Sequence, residues 1–186
     1  MKDSELPHVR ARLMKLIGQP LARIGYAADM LTMTFGNGEP AFHLHIQCSY
    51  RLATAERILF DRIDYFVPSD ALTERWRGEG LEEDNFPRDW CDEDCCLFER
   101  VKRLNARLEG MRVVEAQVNQ LGDLTLCFAA GETLLALPMG SDDHECWRLW
   151  NDAIWPDQHM VIYGDHAELN GPGERCSGIC GEIVDN

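Results

Sequence analysis

Alternating apolar and polar side chains along the chain predict a β-hairpin near its start. Leu31, Met33 and Phe35 alternate with threonines, and Gly36-Asn37-Gly38 follows them. A period of two is typical of a half-buried strand, and glycine and asparagine accept the positive φ of tight turns. The return strand, predicted over 42–50, again places apolar side chains on one face and polar ones on the other.

This hairpin pattern occurs twice. Residues 31–39 align without gaps with residues 124–132, with five of nine positions identical and an offset of 93 residues, half the chain. Each copy is followed by an apolar run and an aromatic-Arg-Leu triplet, Tyr50-Arg51-Leu52 and Trp147-Arg148-Leu149. Internal duplication and convergence both explain such a repeat, because strands joined by glycine turns use few residue types.

Two segments have helical spacing. One is a short helix over 8–17, which Gly18 ends. The other, over 97–108, carries Leu97, Val101, Leu104 and Leu108 on one face and ends at Gly110. Acidic residues precede this helix and basic residues follow within it, the order that complements the helix dipole.

The remaining strands complete the predicted fold. They are expected over 21–28, 57–60, 113–118, 124–128, 133–137, 146–150 and 159–163, with 68–94 irregular but held to the body by aromatic residues. The prediction is an α+β fold dominated by antiparallel β-sheet, a sandwich or partly open barrel with two similar hairpin units and one main amphipathic helix. One globular domain is expected over 1–169, followed by a Gly- and Pro-rich tail over 170–186.

The net charge of the chain limits the classes of macromolecule that it can bind. The chain has 32 acidic and 18 basic residues, a net charge of −14, and ten of the acids lie within 74–99. Such a charge repels nucleic acids and anionic membranes and favours a basic protein partner. The sequence has neither a membrane-length apolar run nor a signal-peptide pattern at its start, so a cytoplasmic location is expected. It also has no Gly-x-Ser-x-Gly elbow and no Gly-rich loop that ends in Lys-Ser or Lys-Thr, and no cofactor is expected.

The eight cysteines are mainly interpreted as buried, inert thiols. Cys91-x3-Cys95-Cys96 and Cys176-x3-Cys180 have a spacing unlike that of structural zinc sites, which usually place two residues between the cysteines. Cys95 and Cys96 fall in the first turn of the predicted main helix, a position that can lower a thiol pKa and make the thiol reactive.

Histidines provide the alternative of a metal site. His43 and His45 share one strand face, and His144 follows Pro138-Met139-Gly140 in the second half. Together they resemble the two motifs of the cupin barrels, over residues 38–45 and 131–144, which implies a metal-dependent enzyme using these three histidines. The chain departs from that pattern because no carboxylate follows His45 by three or four residues, and His144 lies one residue too far from the glycine. The favoured interpretation is a solvated strand face without metal.

The triplet arginines support a structural hypothesis. Tyr50 and Trp147 are expected to face inward, so Arg51 and Arg148 face the opposite side of their strands. If the halves are related, the two arginines occupy equivalent places and hold carboxylates through bidentate pairs. Anchoring of loops is the preferred role for the two arginines, and a structural role is expected for all four residues.

The segment 42–52, read as Phe-His-Leu-His-Ile-Gln-Cys-Ser-Tyr-Arg-Leu, carries a family resemblance. With Gly122-Asp123-Leu124 and Trp147-Arg148-Leu149, it resembles a bacterial family of uncharacterised small proteins that share a His-Ile-Gln-Cys-x-aromatic-Arg segment. The likeness spans most of residues 16–150. It implies a single β-rich domain similar to immunity proteins encoded near toxins, with no established activity.

The leading functional hypothesis is a non-enzymatic acidic binding protein, of the immunity or antitoxin type, that neutralises a basic partner such as a toxin domain. The expected contact residues are Glu82, Glu83, Asp84, Asp89 and Trp90, because an aromatic anchor among carboxylates supplies both affinity and steering. The alternatives are the cupin-like enzyme and a structural subunit of a larger assembly, which would expose an apolar patch.

Overall fold

The computed structural model describes residues 1–38, 40–87, 92–108, 111–140, 143–152 and 159–169. Its helices are α1 (Leu6–Leu13), α2 (Asp70–Gly78) and α3 (Cys96–Asn105), with short 3₁₀ segments at Met14–Leu16, Arg62–Phe66, Glu83–Asn85 and Asp92–Asp94. Its strands are β1 (Leu21–Ala27), β2 (Met30–Phe35), β3 (Phe42–Ile46), β4 (Ser49–Ala53), β5 (Ile58–Asp61), β6 (Val113–Val118), β7 (Leu124–Phe128), β8 (Thr133–Leu137), β9 (Glu145–Asn151), β10 (Met160–Tyr163) and β11 (Ala167–Leu169).

The strands form two antiparallel sheets around one core. The first sheet has the order β1-β2-β3-β9-β10-β11, and the second has the order β5-β4-β8-β7-β6. Apolar side chains from both sheets and from α1 and α3 belong to a single buried cluster. The sheets do not close into a barrel, so the predicted α+β fold is confirmed in its sandwich form.

The two hairpin units exchange strands. The first unit places β1–β3 in the first sheet and sends β4 and β5 to the second, while the second unit places β6–β8 in the second sheet and sends β9 and β10 to the first. Each aromatic-Arg-Leu triplet therefore lies on a strand that pairs with the other unit. The strand predicted over 42–50 is broken at Gln47-Cys48, and both of these amides donate to the carbonyl of Cys146, at 2.8 and 3.1 Å.

Matching irregularities occur at the same place in both units. The β1–β2 register shifts just after Leu21, and the β6–β7 register shifts just after Val113. The amide of Gly36 donates to the carbonyl of Pro20 at 2.9 Å, and the amide of Ala129, 93 residues later, donates to that of Arg112 at 2.8 Å. Convergence on alternating strands explains shared residue types but not shared bulges, so the geometry favours duplication.

The helices bury their apolar faces against the opposite unit. Helix α1 precedes β1 but packs on β6, and α3 precedes β6 but packs on β1. The side chain of Asn105 in α3 donates to the carbonyl of Ile24 at 2.6 Å and accepts from its amide at 2.9 Å, and Arg10 of α1 donates to the carbonyl of Val118 at 3.3 Å. Both helices thereby satisfy polar groups on edge strands, which reduces the tendency of those edges to pair with another chain.

Helix α2 lies within the stretch that the sequence analysis treated as irregular. Ser69 is its N-cap, with the hydroxyl accepting from the amide of Leu72 at 3.2 Å. The helix buries only Leu72 and Trp76, one turn apart. Two apolar residues are too few for a clear amphipathic pattern, which is why this helix was missed.

Candidate functional site

The predicted acidic contact segment follows α2 on the protein surface. Glu82, Glu83 and Asp84 are all exposed, and Glu83 begins a 3₁₀ segment. The ring of Phe86 packs against that of Trp76, with centroids 5.0 Å apart, and Trp76 is itself buried. The segment is therefore fixed at its end by an aromatic contact. Asp89 and Trp90, the other two predicted contact residues, lie outside the described residues.

The three carboxylates differ in their partners. Glu83 forms a solvent-exposed ion pair with Arg77 of α2, which contributes little to holding the segment. Glu82 and Asp84 make no ion pair with any residue that the structure describes. An incoming cationic group meets two uncommitted carboxylates on a segment whose position is already set, which lowers the ordering cost of binding.

The triplet arginines occupy different environments although their neighbours are alike. Tyr50 and Trp147 are both buried in the core, and the indole N–H of Trp147 donates to the carbonyl of Gly122 at 2.8 Å. Arg148 forms a bidentate pair with Glu145, through its Nε and Nη2 at 2.5 Å each. Arg51 is exposed and makes no ion pair within the described part of the chain.

Arg51 borders an apolar cleft of about 340 Å³ on the outer side of the second sheet. Its walls come from β4, β5, β8 and the 3₁₀ segment Arg62–Phe66, and the apolar lining residues are Ile58, Ile63, Phe66, Leu135 and Leu137. Of these, Ile63 is 65% and Phe66 is 55% exposed. A cleft of this volume and composition falls within the range of small-molecule sites.

The other charged groups of this cleft are committed to the fold. Asp61 lies opposite Arg51 on the neighbouring strand, but its carboxylate caps the 3₁₀ segment by accepting from the amides of Ile63 and Asp64, at 2.9 and 3.3 Å. Arg62 donates through Nε to Asp29 at 2.9 Å and also pairs with it through Nη2. Arg51 is thus the cation left available to a ligand at this site.

The predicted histidine pair lies on the outer face of the first sheet and packs around Trp150. The ring of His43 stacks on the indole with centroids 5.1 Å apart, and His45 meets it edge-on at 4.4 Å. His43 Nε2 is 2.8 Å from an oxygen of Asp152. Burial, with further contributions from Arg148 and His43, lowers the pKa of His45. The lowered pKa of His45 favours its neutral form, and both histidine rings pack on the indole of Trp150.

His43, His45 and His144 do not converge on one point. In the described ranges, the single group of three or more His, Cys, Asp and Glu residues whose ligand atoms lie within 4.8 Å of one another is Asp143, Asp165 and His166. Both aspartates are exposed, and His166 Nδ1 lies 2.6 Å from an oxygen of Asp165. Exposed groups of this kind are common without a metal, and the arrangement alone does not make a cation site.

The cysteines with resolved shifts are poor nucleophiles. Cys95 is the N-cap of α3, where its sulfur accepts from the amide of Phe98 at 3.4 Å, and Cys96 follows it. Burial raises the pKa of the Cys96 thiol, so the expectation of a lowered pKa in this turn is wrong for Cys96. Burial and the neighbouring Cys146 raise the pKa of Cys48 to about 12. Cys91, Cys176 and Cys180 lie outside the described residues.

The cleft beside Arg51 is not indicated by any one pattern in the sequence. Its lining comes from three separate stretches of chain, so no single periodicity reveals it. One signal of the cleft lies in the Ile58–Phe66 stretch. Apolar residues occur there on both sides of the predicted strand, and several of them are exposed.

Comparison of the chain with protein-family models, curated proteins and solved structures finds no match. Across the residues that the structure describes, no helix is both long enough and apolar enough to cross a membrane. The resemblance to the bacterial immunity-like family therefore remains a prediction.

Proposed function

We propose that this chain is a non-enzymatic binding protein of the immunity or antitoxin type, and that its acidic surface neutralises a basic protein partner. The observation that carries the proposal is the acidic segment after α2. Glu82 and Asp84 stand exposed and uncommitted within the described chain, while the contact of Phe86 with buried Trp76 fixes the segment. Fixed surface carboxylates of this kind can recognise a lysine- or arginine-rich surface.

The total charge supports the same proposal. A net charge of −14 produces a long-range negative potential that accelerates encounter with a cationic protein and slows encounter with polyanions. Affinity that depends on exposed charges is screened by salt over about 8–10 Å at physiological ionic strength. A partner recognised in this way should be released at high salt.

The test is affinity capture from a lysate of the native host, performed with a charge-reversed variant and a matched control. Glu82→Lys combined with Asp84→Lys should lose the partner, because both uncommitted carboxylates are reversed. Glu56→Lys combined with Glu115→Lys changes the net charge equally at exposed sites elsewhere and should retain it. The captured protein should be basic and should elute as salt rises. Equal retention by both variants, or a partner insensitive to salt, contradicts the proposal.

A further inference from the structure

The cleft beside Arg51 is separate in chemistry from the acidic segment. Its lining is mostly aliphatic and aromatic, and its available charge is positive, whereas the surface proposed to bind a basic partner is negative. We infer that this cleft is a binding site for a small amphipathic carboxylate, a molecule with one carboxylate and an aliphatic body.

The apolar walls require an apolar ligand body. Ile63 and Phe66 are more than half exposed, and Ile58 and Leu137 are 47% and 38% exposed. Burying such surface is favourable in proportion to the apolar area removed from water. The volume of about 340 Å³ is near the lower end of the range for small-molecule sites, so the ligand is small.

The available guanidinium requires an anionic head. Arg51 makes no ion pair within the described residues: the carboxylate of Asp61, which lies opposite it, caps the adjacent 3₁₀ segment, and Asp29 pairs with Arg62. A guanidinium matches a carboxylate through two parallel N–H···O bonds. Only one such cation is available, and the net charge of −14 disfavours a dianion. A monoanionic carboxylate therefore fits better than a phosphate monoester.

In the second unit, the arginine at the equivalent position already has a carboxylate partner. Arg148 has the same place in its triplet, and Glu145 satisfies it with a bidentate carboxylate from the same strand. The residue three before Arg51 is Cys48, which offers no carboxylate. In the first unit, the ligand would supply the carboxylate that Glu145 supplies in the second.

The experiment is calorimetric titration of the full chain with decanoate below its micelle concentration, with decanol and acetate as comparison probes. Decanoate should bind saturably at one site. Decanol lacks the charge and acetate lacks the body, so each should bind about tenfold more weakly or worse, the loss expected when a charge-assisted bond or the apolar contact is removed.

Variants separate this site from nonspecific binding. Arg51→Gln should weaken decanoate binding about tenfold or more, whereas Arg148→Gln, the matched change in the other unit, should leave it unchanged. Ile63→Asp should also abolish binding, and because Ile63 is exposed its replacement leaves the core intact. Absence of saturable binding, or equal affinities for the two arginine variants, overturns the inference. None of these outcomes depends on the acidic segment, so the two proposals can fail independently.

Discussion

The two arginines of the repeat differ although the scaffold around them is the same. Arg51 and Arg148 each follow a buried aromatic residue on a strand that crosses to the other unit's sheet. Arg148 is neutralised by Glu145, while Arg51 borders an apolar cleft and makes no ion pair within the described chain. The fold itself therefore does not require an ion-paired arginine at this position. One unit uses the position for its own structure, and the other leaves it available.

The two units are alike in the interior of the sandwich and differ on its exterior. Leu31 and Leu124 begin the aligned apolar pattern of β2 and β7, and both are fully buried. Outward positions differ: the first sheet carries imidazoles and an indole, and the second carries Leu135 and Leu137. Close packing restricts inward side chains by volume, whereas outward side chains can change without rebuilding the core.

The largest effect should come from the inward aromatic of the second triplet. Trp147→Ala should lower the free energy of unfolding by about 3–5 kcal/mol, because it leaves a cavity and removes the bond to the carbonyl of Gly122. Trp150→Ala, on the outward face of the same strand, should cost clearly less since Trp150 is only half buried. Urea denaturation of both variants measures this. Equal losses would contradict the division between interior and exterior.

The next largest effect compares the equivalent leucines. Leu31→Ala and Leu124→Ala should each lower the free energy of unfolding by about 2–5 kcal/mol, the usual cost of a buried leucine. Related environments should make the two losses nearly equal in urea denaturation. If the two losses of free energy differ by as much as either loss, the buried environments of the two units have diverged as far as their surfaces.

A smaller effect is the pH dependence of stability, which we expect from histidines on the outer face of the first sheet. The pKa of His45 is lowered by burial and then by Arg148 and His43, and the pKa of His159 is lowered by burial and Arg148. The folded state therefore binds protons less readily than the unfolded chain, whose histidines titrate near 6.5. Stability should be fully present above pH 6.5 and should fall as the pH drops through that value towards the lowered pKa values.

Two variants test this pH dependence in thermal melts between pH 5 and 8. His45→Gln should reduce the loss of stability at low pH without abolishing it, because His159 still contributes. Arg148→Gln should also flatten it, because removing the cation raises the pKa of both histidines. A decline unchanged in both variants would mean that other groups cause it.

The smallest effect isolates the two arginines themselves. Arg148→Gln should lower the free energy of unfolding by about 0.5–1 kcal/mol, since it breaks a partly exposed bidentate pair and leaves Glu145 without its partner. Arg51→Gln should stay within about 0.5 kcal/mol of the parent, because no described contact depends on its charge. Chemical denaturation of both variants measures these changes in the free energy of unfolding. A larger loss for Arg51→Gln would reveal a structural role and weaken its assignment as a ligand-binding residue.

Local patterns made most of the fold predictable, and tertiary placement did not. Alternation around Leu31 and Leu124 predicted both hairpins, and the leucine spacing from Leu97 predicted α3. The break at Gln47-Cys48 was not predicted, because the alternation continues across it while the chain moves to another sheet. The exposed carboxylates could be chosen from charge density alone. The cleft beside Arg51 could not, since β4 and β8 meet only through the exchange of strands.

The strand exchange has a consequence for synthesis on the ribosome. When the first unit has emerged, β3 has an unpaired edge where β9 will bind, and β4 lacks its partner β8. The second sheet cannot be completed until β8 has been translated, and the first sheet must wait longer, for β9, β10 and β11. Such nascent chains expose apolar surface and open strand edges and are prone to aggregate, so this protein should depend on chaperones during translation more than a domain built from sequential hairpins.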